Sequence, residues 1–79
     1  MINKRTTPRH RVLKGGTIAF AGSQAVCTVR NISEGGAAVD LTERIELPQS
    51  FTLSIERDRF VRRCRPVWSF ERRVGVAFC

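Results

Sequence analysis

Apolar and polar residues alternate with period two along most of the chain, and no window keeps an apolar stripe at helical spacing for three turns. The clearest half-buried strand is FTLSIE, where Phe51, Leu53 and Ile55 alternate with Thr52, Ser54 and Glu56. The same criterion predicts strands over 17–20, 25–32, 37–41, 59 to about 69, and 73–78. The fifth run places Phe60, Cys64, Trp68 and Phe70 on one parity and Arg63, Arg65 and Val67 on the other. The last run turns Val74, Val76 and Phe78 inward. Gly15-Gly16 leads into the first strand, and Ala21-Gly22-Ser23, Ser33-Glu34-Gly35-Gly36 and Arg57-Asp58 connect later ones. The stretch 42–49 is the only sizeable connection, and Pro48 keeps it from being a central strand.

Six short strands separated by turn residues predict an all-β fold, a small six-stranded antiparallel barrel, closed or nearly so. A barrel of this size is filled by its own side chains, so a ligand must bind on the outside, at the rim or on a flanking tail. Phe51, Phe60, Trp68 and Phe78 are accordingly assigned to packing. At 79 residues there is room for one core. The expected organisation is a basic N-terminal tail over 1–13 and a barrel domain over 14–79, ending on its last strand with no C-terminal helix.

Charge changes the picture next. Fourteen Lys and Arg face seven Asp and Glu, a net charge of +7, and only Lys4 and Lys14 among the fourteen are lysine. Arginine forks onto phosphate, carboxylate and guanine edges, whereas lysine is a solvated point charge, so an anionic partner is the first expectation. The segment RTTPRHR, residues 5–11, holds Arg5, Arg9, Arg11 and the only histidine, His10, with no acid among them. Thr7 and Pro8 stiffen it against helix formation. Cys27, Cys64 and Cys79 are odd in number and widely spaced, and read as reduced thiols of a soluble, cytoplasmic protein. With one histidine they match no metal-ligand spacing, so neither metal nor cofactor is expected. Catalysis is not expected either, because His10 has no positioned nucleophile or carboxylate partner. No apolar run reaches the length of a membrane span, and no basic-then-apolar signal segment opens the chain.

A second constellation lies in NISEGG, residues 31–36. On extended backbone Asn31 and Ser33 face the same way, and Gly36 suits either a left-handed turn or the close approach of a flat ligand. Alone, the stretch reads as an ordinary turn. Taken together, Arg5-x-x-x-Arg9 before the first strand and Asn31-x-Ser33-x-x-Gly36 between the second and third resemble the motif pair of PilZ domains. The closing stretch CRPVWSFERRVGVAF is similar to that family's last hairpin, and the resemblance runs along nearly the whole chain.

The resemblance implies a barrel that binds the bacterial second messenger cyclic di-GMP on its outer face. It assigns Arg5 and Arg9 to phosphates and a guanine Hoogsteen edge, Asn31 and Ser33 to base or ribose, and Gly36 to leaving the guanine room. Lys4, His10, Arg11 and Gly35 are accessory candidates. Lys4 stands where many relatives carry a further stacking arginine, which argues against two intercalated ligand molecules. The implied mechanism is a tail that orders on the ligand and signals to a partner protein in motility, exopolysaccharide or biofilm control. The competing expectation is a barrel for single-stranded nucleic acid, using Arg57, Arg59, Arg62, Arg63, Arg65, Arg72 and Arg73 as a second basic face. Against it, the aromatics take core parity and leave no exposed stacking pair. That second face is also where an acidic partner protein is expected, if it is not simply solvated.

Overall fold

The computed structural model describes residues 10–79. Six strands, β1 (His10–Phe20), β2 (Ser23–Ile32), β3 (Gly36–Leu41), β4 (Phe51–Ile55), β5 (Phe60–Phe70) and β6 (Arg73–Phe78), form the expected barrel. It is closed, in the order β1-β2-β3-β6-β5-β4, and every neighbouring pair is antiparallel. A single 3-10 turn, Glu56–Asp58, joins β4 to β5, and no α-helix occurs among the described residues.

The interior follows from alternation. In β4 Phe51, Leu53 and Ile55 are buried while Thr52 and Ser54 are not. Ile18, Val29, Val39 and Leu53 are wholly buried, and no charged or polar residue joins them among the described residues. Each such side chain contributes about 1.5–3 kcal/mol of transfer free energy, so these few positions carry most of the stability of so small a domain. Cys27 and Cys64 belong to this core, and burial pushes each thiol up to about 11. They therefore stay protonated and act as small apolar groups.

Two expectations need correction. β1 starts at His10 and not at 17, because Gly15 and Gly16 sit in the ladder opposite Thr28 and Cys27 and do not interrupt it. In β5 the parity assumed for the aromatics holds only as far as Pro66. The β5–β6 register shifts between Pro66 and Trp68, so an extra residue, Val67, reverses the alternation. Cys64 stays inside at 0% exposure, whereas Trp68 is 48% and Phe70 71% exposed. Phe60 and Phe78 keep their packing role, with ring centroids 5.4 Å apart against the core.

Candidate ligand site on the outer face

The backbone register assembles a continuous row across five strands. Arg11 pairs with Asn31, Asn31 with Ala38, Ala38 with Gly75, and Gly75 with Trp68. The row lies on the outside of the barrel, with two small residues between Asn31 and the indole. A Cβ on Gly75 would collide with the ring of Trp68, so the glycine is what lets the indole lie down on β6.

Bulges aim further side chains at this face. Between Val29 and Asn31 the β2–β3 register shifts, leaving Arg30 as the extra residue. Opposite it, β1 shifts between Arg11 and Lys14. A bulge bends the strand and re-aims its side chains, and here Arg30 and Asn31 line the same depression. That depression is open, about 590 Å³, and is completed by Val12, Leu13, Ala38 and Arg73. The Oδ1 atom of Asn31 is buried and has no hydrogen-bond partner among the described residues. Such an acceptor has given up water without a replacement, which a donor on a ligand or on the preceding segment would supply.

Asp40 stands beside the depression and gathers its two cations. It accepts from Arg73 at 2.7 Å (Nε) and 3.3 Å (Nη2), and from Arg30 Nη1 at 3.4 Å. Its carboxyl is held below the usual carboxylate range, first by the Arg73 hydrogen bond, with the charges of Arg73 and Arg30 adding and partial burial opposing. Neither arginine belongs to the RxxxR or NxSxxG motif. Their signal is spatial, since Arg73 reaches an aspartate 33 positions away.

The remaining candidates divide. Ser33 closes the β2–β3 turn, its backbone N–H donating to the Gly36 carbonyl at 2.8 Å and its hydroxyl to the same oxygen at 3.3 Å. The Gly35 carbonyl accepts from Phe78 N–H at 2.9 Å. Gly36 has a reason internal to the barrel, because a Cβ there would run into the Val76 carbonyl across the β3–β6 ladder. It has no positive φ, so no left-handed turn is involved. His10 and Arg11 open β1, His10 opposite Ile32 and Arg11 opposite Asn31. Lys4, Arg5 and Arg9 lie outside the described residues; in sequence, Arg9 immediately precedes His10, the residue paired with Ile32.

A larger open depression, about 800 Å³, lies between the β1–β2 turn and the start of β4. Among the described residues it holds none from either motif and a single charge, Arg63, so it suits a dianion less well. Of the second basic set, Arg62 stacks over Phe78 with its guanidinium carbon 5.0 Å from the ring centre, and Arg73 is committed to Asp40. Among the described residues no three His, Cys, Asp or Glu side chains cluster as a metal site, and no helix is long and apolar enough to cross a membrane.

The family model of the PilZ domain matches residues 3–79. No curated protein is significantly similar to the chain. The family is one of cyclic di-GMP-binding, non-catalytic domains, and both motifs fall within the matched span. By the length of that match, and with the closed barrel and the register that brings the end of the arginine segment to Asn31, the chain belongs to the PilZ domain family.

Proposed function

We propose that this domain is a cytoplasmic receptor for cyclic di-GMP that binds it across the Asn31–Ala38–Gly75 row, with Arg5 and Arg9 closing over the ligand from the N-terminal side. The observation that carries the reading is the Arg11–Asn31 pairing, which sets the strand that follows the arginine motif in sequence alongside the second motif. Arginine pairs with guanine O6 and N7 and with phosphate through two parallel bonds, and the unpartnered Oδ1 of Asn31 is an acceptor for a base N–H or ribose hydroxyl. Ser33 serves chiefly by holding the turn that presents Asn31. The output of such a receptor is a change in shape and charge: the arginine segment orders on the ligand, and a partner protein controlling motility, exopolysaccharide or biofilm reads the result.

Calorimetric titration of cyclic di-GMP into wild type and Arg9→Ala tests this. Loss of one charge-assisted contact should weaken binding about tenfold or more. Absence of binding to the wild type would sink the proposal, and equal affinity in both would remove the arginine segment from it.

The exposure of Trp68 and Phe70 favours a second reading, single-stranded nucleic acid, more than the sequence pattern does, because base stacking needs accessible rings. Affinity for an oligonucleotide that falls steeply with added salt, with cyclic di-GMP a poor competitor, would select it.

A further inference from the structure

We infer that Arg30 and Arg73 form a second cationic arm of the ligand site, and that Asp40 is the anion they hold until a ligand phosphate replaces it. The inference rests on the cyclic di-GMP reading above. Neither arginine belongs to the two motifs, yet both line the depression that contains Asn31, and among the described residues no acid lines it with them. Arg30 is the residue pushed out by the β2–β3 bulge, and it lines the same depression as Asn31.

The two arginines share one carboxylate, so the trio keeps a net positive charge toward the depression. Their side chains remain 44% and 47% exposed, and the Arg30 contact at 3.4 Å is too long for a well-formed hydrogen bond. A guanidinium has five N–H donors. Arg30 turns at most one toward Asp40, at long range, and Arg73 two, so most of their donors are available to an incoming anion. Exposed ion pairs hold weakly in water, whereas two guanidinium groups converging on one phosphate in a partly covered groove bind it with charge-assisted bonds. The exchange breaks no covalent bond and moves no proton, since Asp40 is ionised throughout at neutral pH.

Calorimetric titration of cyclic di-GMP into wild type, Arg30→Gln, Arg73→Gln and Asp40→Asn reads each part. Both arginine variants should bind about tenfold more weakly. Asp40→Asn should bind more tightly than wild type, because the competing anion is gone. Arg30→Gln leaves the Arg73–Asp40 pair between β3 and β6 in place, so its thermal midpoint should match wild type and its loss of affinity cannot be ascribed to a damaged barrel. Wild-type binding with unchanged affinity in both arginine variants would overturn the second arm while leaving the cyclic di-GMP reading intact. Weaker binding by Asp40→Asn would overturn the exchange, making Asp40 a positioning group. No binding by the wild type would overturn the reading and this inference together.

Discussion

Along β4 the side chains alternate without a fault, and along β5 they do not. The two ladders β4 makes, with β1 and with β5, keep a constant register. Three of the other four ladders, β1–β2, β2–β3 and β5–β6, carry a shift. All three shifts bear on the face that holds Asn31, Arg30 and Trp68. A strand that only has to bury one side needs nothing beyond strict alternation. A face that must gather an amide, two guanidinium groups and an indole from separate strands needs its side chains re-aimed, and an inserted residue does that at little cost to the core. The core draws on every strand, whereas the proposed site lies only on strands whose register shifts.

Substitutions on the regular and the shifted strands should therefore part company. Leu53→Ala, on regular β4, removes a wholly buried side chain and should cost about 2–5 kcal/mol in urea unfolding, while molecules still folded keep their ligand affinity. Gly36→Ala comes next. Its methyl group meets the backbone carbonyl of Val76, which cannot withdraw without opening the β3–β6 ladder, so about 1–3 kcal/mol should be lost, seen as a lower thermal midpoint. A Gly36→Ala protein as stable as wild type would show that the ladder yields there.

The smallest effect belongs to the ion pairs. The folded carboxyl of Asp40 lies below its unfolded value of about 3.9, so the stabilisation it contributes is present above that pH and is lost as the pH falls through the lower, folded value. For an exposed cluster this is worth about 0–1 kcal/mol. Wild type minus Asp40→Asn stability, followed by chemical denaturation from neutral pH to below 4, should shrink toward zero at the acid end.

Legibility from sequence follows the same division. The β4 and β6 strands are plain because Phe51, Leu53, Ile55, Val74 and Val76 alternate with side chains that do not fill the core, and the structure buries all five. The start of β1 is hidden because two consecutive glycines imitate a break, although the backbone pairs straight through them. The outward turn of Trp68 and Phe70 is hidden because nothing local marks Val67 as an insertion. Only the pairing of Trp68 with Gly75 after Pro66 with Val76 reveals it. Of the site, Asn31 and Ser33 could be marked by spacing, and Arg5 and Arg9 rest on sequence alone. Arg30 carries no mark in the sequence and Arg73 reads there only as part of a second basic face, because their meeting depends on a carboxylate brought in by barrel closure. For Gly36 the sequence offers a left-handed turn or room for a ligand; the backbone removes the turn, and the Val76 carbonyl adds a reason the sequence does not carry.

The bulge in β5 has an optical consequence. The chain contains one tryptophan and no tyrosine, so its near-ultraviolet emission comes from Trp68 alone. Had the alternation run on unbroken, that indole would be sealed in the core and insensitive to events outside. Turned outward over Gly75, it is half in water and three strand spacings, roughly 15 Å, along the row from Asn31. A molecule settling over Ala38, beside the indole that covers Gly75, would strip solvent from the ring and move its emission, and the unmodified domain would then report its own occupancy.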